Sequence, residues 1–510
     1  MTLEKKYYKT VSKEKVGKLG QYFTPKYIAD FMRNWIMESK PKSILDPAVG
    51  NGVFLNGINC EQIRCYGYEI DREIIEFFKK EYQINYQVLI EDYLRNEWDL
   101  KFDAIICNPP YNRFQMIDGR KAIIENFNNR LGLKISGYTN QYILFLLKSI
   151  YQLNDNGRLA YIIPNEFLNC GYGYKVKKYL IENKLLYAII NFDSKLNIFE
   201  NVMTTACIVL VKKEKLDEVE FINISSINEF EEISINFFSS KINRKKMKYS
   251  DLNCREKWCK YFNNGKQIKY KNLVQFSIFA KAMRGIATGD NKYFVFNESK
   301  RLKFQLDERS LMPCITRSND IKGCIFSIDD FNELRFKDKN VYVFDGTLFR
   351  DENNENYIKL GTELGVHKKY LTRHRNPWYR MESKEAAPIL VNVFSRNSLK
   401  VVRNLAQIKN LTCFHGIFMQ KEYVEFTNIL FCYLLTPIGQ NILYLNKRQY
   451  GGGLDKFEPN DINDAMCLDF HLLTTEDRNL INQIYSDIIN IGINDSIIDT
   501  LNSIFARYVC

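Results

Sequence analysis

Residues 103–114 read DAIICNPPYNRF, an apolar run that stops at Asn108, Pro109, Pro110 and Tyr111. Two prolines fix two φ angles and remove two backbone donors, so the segment is stiff and its carbonyls are free to bond elsewhere. A strand cannot continue through it. The tetrad suits a loop that grips a small polar group just past a buried strand. A second set of residues points the same way. DPAVGNGVFL (46–55) follows one apolar run, Glu69 closes another in YGYEID, and Asp92 closes a third in IEDY. Gly50 and Gly52 permit a tight turn and close approach by a ligand, although a two-glycine turn alone also fits any strand-to-helix connection. Each acid alone fits a surface cap. Together, Asp46, Glu69 and Asp92 at the ends of successive strands describe a nucleoside pocket. Glu69 stands where an acid accepts both hydroxyls of a ribose, Asp92 where one accepts from an adenine amino group with Tyr93 against the ring.

The elements that must position these residues are legible as alternating short apolar runs and helical patterns, the pattern of a parallel sheet in an α/β layer. SILD (43–46), CYGYEI (65–70), YQVLIED (86–92), FDAIIC (102–107) and RLAYIIP (158–164) read as strands, with a helix over 140–153 before the fifth. LLYAIINF (185–192) and TACIVLVKK (205–213) read as an antiparallel hairpin at the sheet's edge. The charged, irregular stretch 212–232 reads as a link between domains, and the chain from about residue 460 reads as helical.

A chain of 510 residues calls for two or three domains, and 45% apolar residues supply their cores. The opening MTLEKKYYKTVSKEK is too polar for a signal peptide, and nothing later approaches ~18 unbroken apolar residues. Thirteen Cys without a CxxC pair, and only four His, predict reduced thiols and no metal site. The net charge is +12, and HKKYLTRHRNPWYR (367–380) interleaves bases with aromatics and contains no acid, as a phosphate-tracking surface would. INRKKMK (242–248) reads as a solvated face.

GQYFTPKYIADFM (20–32), DPAVGNGVFL, YGYEID, EDYL and NPPY occur in the order of amino-group DNA methyltransferases. The chain resembles their gamma class of N6-adenine enzymes, closely over residues 18–213. RGIATGDNKYFVF (284–296) and YGGGLDKFEPNDI (450–462) look like target-domain signatures. The resemblance implies a Rossmann-like α/β methyltransferase domain over 1–235, its mixed sheet mostly parallel with an antiparallel edge hairpin. It also implies an α+β target recognition domain over 236–510. The implied activity is methyl transfer from S-adenosylmethionine to N6 of a flipped-out adenine in a specific duplex sequence, without a metal. By resemblance, Tyr22, Thr24, Asp46, Ala48 and Gly50 hold the methionine part, Glu69 the ribose, and Ile70, Asp92, Tyr93 and Phe145 the adenine. Asn108 borders both cofactor and target. Its Oδ1 and the Pro109 carbonyl accept the two N6–H bonds on a loop stiffened by Pro110. Tyr111 and Phe199 stack on opposite faces of the base. Arg373, Arg375 and Arg380 contact DNA.

The implied partner is double-stranded DNA, and the enzyme is either the methylase of a restriction–modification system with a separately encoded restriction endonuclease or an orphan methylase, in the cytoplasm of a bacterium and away from any membrane. Glutamine-amide protein methyltransferases share NPPY but are much shorter. A combined restriction–modification polypeptide would need a nuclease domain, and about twenty residues before QYFTP are too few for one. A non-enzymatic DNA-binding protein would not need an intact cofactor edge.

Overall fold

The computed structural model describes residues 3–79, 84, 86–112, 119–135, 139–193, 196, 198–199, 205–237, 242, 244–262, 270–396, 398–450 and 454–510. Three glycines of the YGGGLDKF motif, residues 451–453, lie outside these. The chain parts into two compact units, Met1–Gln267 with Gln449–Gly453, and Ile268–Arg448 with Leu454–Cys510.

The first unit is a nine-stranded sheet. Its strands are β1 Ser43–Asp46, β2 Arg64–Glu69, β3 Gln87–Ile90, β4 Phe102–Cys107, β5 Leu153–Pro164, β6 Leu186–Phe192, β7 Ala206–Lys212, β8 Glu218–Ile224 and β9 Arg244–Lys248. Their order is β3-β2-β1-β4-β5-β7-β6-β8-β9. β1 to β5 pair in parallel, and β7 runs antiparallel between β5 and β6. The α-helices among the described residues of this unit are α1 Leu3–Thr10, α2 Lys13–Leu19, α3 Lys26–Met37, α4 Arg72–Phe78, α5 Arg120–Leu131, α6 Gln141–Gln152, α7 Gly173–Glu182 and α8 Ile227–Ile235.

Strand side chains alternate between two cores. Ile44, Ile106 and Ile162 pack with Ile28, Phe31 and Trp35 of α3, while Leu45, Ile105 and Tyr161 pack with Ile143, Leu146 and Leu147 of α6. Helices thus cover both faces, and the buried strands read as unbroken apolar runs. From β1 the chain steps outward to β2 and β3, then returns to β4 on the other side of β1. That reversal opens a crevice beyond the carboxyl ends of β1 and β4, the usual ligand position in such a sheet. Asp46 and Asn108 stand at those two ends.

Two expectations differ from what the structure contains. The stretch 212–232 is not a link: β8 lies within it, parallel to β6, burying Val219, Phe221, Ile222 and Ile224. The hairpin of β6 and β7 is therefore inside the sheet, with β8 and β9 beyond it. The compact units part at Gln267/Ile268, later than the expected boundary after residue 235. β9 pairs with β8, and Trp258 packs edge-on to Phe221 at 5.8 Å, which joins residues 244–262 to the first unit.

The second unit holds a five-stranded sheet in the order Ala280–Arg284, Phe414–Met419, Ile389–Asn392, Val401–Asn404 and Ile325–Phe326. Helices Thr475–Ile491 and Asp495–Val509 end the chain.

One glycine of β2 matters to the site. A Cβ at Gly67 would lie 2.3 Å from Cγ2 of Val49 in the loop after β1. Gly67→Ala is expected to cost about 1–3 kcal/mol through overpacking. Thermal melting of the variant checks this, and a wild-type melting temperature would contradict the packing.

Candidate active site

The crevice holds a cavity of about 670 Å³, within the usual range for small-molecule sites. Its walls include Tyr22, Thr24, Ala48, Gly50, Glu69, Ile70, Asp92, Tyr93, Asn108, Pro110 and Phe145. Every cofactor residue expected from the sequence is therefore on the wall except Asp46, which is fully buried behind it.

The loop after β1 turns at Gly50 (φ +53°) and Gly52 (φ +78°), a region that glycine enters without strain. Asp46 Oδ1 accepts the Ala48 N–H at 3.1 Å, and its Oδ2 is buried with no partner among the described residues. Burial pushes this carboxyl up to about 8, with the Ala48 bond opposing and the Glu69 charge adding.

Glu69 ties two loops together. Oε2 accepts the Gly50 N–H at 2.9 Å, while Oε1 accepts those of Ile70 at 2.8 Å and Asp71 at 2.9 Å. Burial raises its pKa, and those three backbone bonds pull it back. A carboxylate has about four lone-pair sites, so one remains, on Oε2. The sequence reading has Glu69 taking both ribose hydroxyls; in this arrangement it has room for one.

The wall beyond Glu69 is apolar. Ile70 is 60% exposed although hydrophobic. Phe145 of α6 and Tyr93 pack ring to ring at 5.1 Å, both buried. Asp92 caps the Leu94 N–H through Oδ1 at 3.0 Å and pairs with Arg95 through Oδ2 at 3.1 Å. An exposed aliphatic, two buried rings and a carboxylate make a slot for a flat, amino-bearing heterocycle.

At the other end stands Asn108. Its Nδ2 donates to the Tyr22 carbonyl at 2.8 Å and to Thr24 Oγ1 at 2.9 Å. A carbonyl only accepts, so these partners fix which end of the amide is nitrogen. Oδ1 is left buried without a partner among the described residues. The segment 20–24 is held close by Gly20 (φ +64°), where a Cβ would come within 3.0 Å of the Tyr111 nitrogen. The amide therefore presents a fixed, unfilled acceptor to whatever enters.

Tyr111 donates its hydroxyl to the Ile162 carbonyl at 3.3 Å, and its ring lies 5.7 Å from Tyr22 and 6.3 Å from Tyr142. Phe199 meets it edge-on, at 5.9 Å and 76°. The expected sandwich is therefore closed in this structure. A base between two rings needs about 3.5 Å on each side, so Phe199, itself buried, must withdraw before one can enter.

In the second unit, two sequence motifs come together. Arg375 donates to the carbonyls of Thr288, at 2.9 Å, and Ala287, and Lys369 pairs with Asp290 at 2.6 Å. The guanidinium of Arg375 thus holds the RGIATGD loop with two of its five N–H donors. Arg373 and Arg380 are exposed, and Arg373 lies 5.2 Å from the ring of Tyr370, which is 72% exposed.

Sequence reasoning missed the residues of α2. Glu14, Gly17 and Leu19 line the cavity, as do Gly20 and Gln21 just after it. The helix is short and polar, and its local signals are its two ends, Ser12, whose side chain caps the Lys15 N–H, and the left-handed Gly20.

Fold and site together define an S-adenosylmethionine-dependent methyltransferase. The chain belongs to the N-6 DNA Methylase family, whose profile matches residues 7–275, and its second half matches the Type II methyltransferase M.Eco57I C-terminal domain over residues 255–503. It is 43% identical over 497 residues to the Type II methyltransferase M.AccI of Acinetobacter calcoaceticus, covering 95% of this chain and 92% of that one. It is 25% identical over 366 residues to M.HindII of Haemophilus influenzae, covering 67% of each. The fold is shared with the Type IIL restriction-modification enzyme MmeI, solved in complex with DNA. The TM-score is 0.55 and the identity 13%, over 99% of this chain and 73% of that one. The protein is a DNA N6-methyltransferase of a restriction–modification system, and S-adenosylmethionine is its cofactor.

The walls fit that cofactor. Glu69 and Asp92 offer acceptors to a ribose and an adenine, and the two buried rings with Ile70 offer them faces. Glu69→Ala removes three backbone bonds and a ligand acceptor together, so S-adenosylmethionine affinity is expected to fall at least about ten-fold. Calorimetry on the purified variant checks this; unchanged affinity would contradict the pocket.

Proposed function

We propose that the protein methylates N6 of a flipped-out adenine within one specific duplex sequence, and that Asn108 and Pro109 hold the reacting amine. The observation that carries this reading is the unfilled Oδ1 of Asn108, buried and fixed by the bonds of its own Nδ2. An exocyclic adenine amine is a poor nucleophile because its lone pair is delocalised into the ring. When Asn108 Oδ1 and the Pro109 carbonyl each accept one N6–H, the nitrogen shifts toward tetrahedral geometry and its lone pair is freed. Both acceptors are set before substrate arrives, so little reorganisation is left for the reaction. S-adenosylmethionine, when bound, supplies an electrophilic methyl group on a positively charged sulfonium. Tyr111 gives the flipped base one face, and Phe199 closes on the other after moving aside to admit it. Extrusion is required because the amine is out of reach inside a duplex.

In this reading Tyr22, Thr24, Ala48 and Gly50 hold the methionine end of the cofactor, with Asp46 behind them. Ile70, Asp92, Tyr93 and Phe145 enclose its adenine. Arg373 and Arg380 track phosphates in the target recognition unit, and Arg375 holds the RGIATGD loop there. A separately encoded restriction endonuclease is the expected functional partner, a reading supported by the likeness to M.AccI, a Type II methyltransferase. A glutamine amide in a protein poses the same nucleophile problem, but the relatives named here are DNA enzymes.

Asn108→Ala is expected to lose about 10²–10³ in methyl transfer and to keep most of its DNA affinity. Labelled-methyl transfer to duplex DNA, with binding measured in parallel, checks this; near-normal turnover would contradict the role. Arg373→Ala and Arg380→Ala should each weaken binding to all duplexes and reduce the salt slope by about one unit. Arg375→Ala should instead lower the melting temperature, because it frees two carbonyls of the RGIATGD loop. Affinity titrations against salt, with thermal melting, separate these outcomes. A wild-type slope in the first two variants would make their run a solvated face.

A further inference from the structure

Helix α6 turns a lysine into the protein's interior. Lys148 is 0% exposed, and its Nζ donates to the carbonyls of Tyr93 at 2.5 Å and Asn96 at 2.8 Å. It also lies 4.4 Å from the ring centroid of Tyr93 and 5.3 Å from that of Trp98. Burying an amine is costly, and a methionine would fill the same space without that cost. What a methionine cannot do is satisfy two inward-turned carbonyls. Burial pushes the Lys148 ammonium down to about 7, with Asp92 and Glu97 opposing and Arg130 adding. A neutral amine still carries two N–H donors for the two carbonyls.

The loop so held carries Asp92 and Tyr93, and both line the cavity with Phe145, three residues before Lys148 on the same helix. The Tyr93 hydroxyl is secured from α6 as well. It donates to Gln152 Oε1 at 2.6 Å and shares a bond with Ser149 Oγ at 2.9 Å. One helix thus grips Tyr93 at both its carbonyl and its hydroxyl.

We propose that Lys148 is a positioning residue for the nucleoside end of the cofactor cavity. By bonding the Tyr93 and Asn96 carbonyls it holds the loop against α6, so that Asp92, Tyr93 and Phe145 form one slot. The proposal rests on reading that cavity as the S-adenosylmethionine site. Its effect is confined to the nucleoside: Asn108 and its partners Tyr22 and Thr24 belong to other segments.

The test uses the full-length protein with Lys148→Met and, as a milder change, Lys148→Gln. Calorimetry with S-adenosylmethionine and with 5′-methylthioadenosine, which keeps the nucleoside and lacks the amino acid, should show the same loss for both ligands. About ten-fold or more is expected in Lys148→Met and less in Lys148→Gln, which keeps an N–H donor. Methyl transfer at saturating cofactor and duplex affinity should stay within about three-fold of wild type, a split that general unfolding would not give. If Lys148→Met does not melt cooperatively, Lys148→Gln carries the comparison alone. Wild-type affinity for both ligands in a folded variant would overturn the proposal, as would equal losses in cofactor affinity, DNA affinity and turnover. A wild-type protein that binds neither ligand would instead overturn the reading of the cavity.

Discussion

Two hydrogen bonds set the orientation of the amide on which the proposed chemistry depends, those from Asn108 Nδ2 to the Tyr22 carbonyl and to Thr24 Oγ1. An amide free to rotate would offer an incoming amine a donor as readily as an acceptor. Once its nitrogen is committed, the oxygen can only accept, and a buried unfilled acceptor costs free energy until a donor arrives. On the proposed reading the cost is part of the function, because an N6–H can relieve it. The constraint also explains the order of segments at the site. Residues 20–24 must lie against the loop after β4, and Gly20 is the residue whose missing side chain permits that approach.

The rest of the first unit serves this arrangement. The strand order reverses between β1 and β4, so the loops after both strands face one crevice. Glu69 then joins the loop after β1 to the one after β2 through three backbone donors, and Lys148 with Ser149 and Gln152 secures the loop after β3. Each loop is tied by a buried polar or charged side chain, not by contacts between loop backbones alone. Buried groups of this kind are expensive, and they cluster where geometry must be fixed.

Strands β1 and β4 and the second half of β5 were legible because burial on both faces makes them unbroken apolar runs. The acids at their ends were legible because position at a strand terminus restricts what a carboxylate can do. β8 was not, because VEFINI is short and sits in a heavily charged neighbourhood where composition outweighs alternation. The division of labour within 367–380 was not legible either. Arg373, Arg375 and Arg380 are alike in sequence, and only the fold reveals that Arg375 bonds two carbonyls of the RGIATGD loop. NPPY could be read directly as the end of a buried strand, but the edge contact of Tyr111 with Phe199 joins residues far apart in the chain, for which sequence offers no rule.

The central claim is that methyl transfer depends on the orientation of the Asn108 amide, and Thr24 offers the most direct access to it. Thr24→Val keeps the shape of the side chain and removes the hydroxyl that accepts from Nδ2. The measurement is the single-turnover rate of methyl transfer to duplex DNA at saturating S-adenosylmethionine, with the product nucleoside identified by mass spectrometry. The account predicts a rate lower by about ten-fold or more, with N6-methyladenine still the product. An undiminished rate would contradict it.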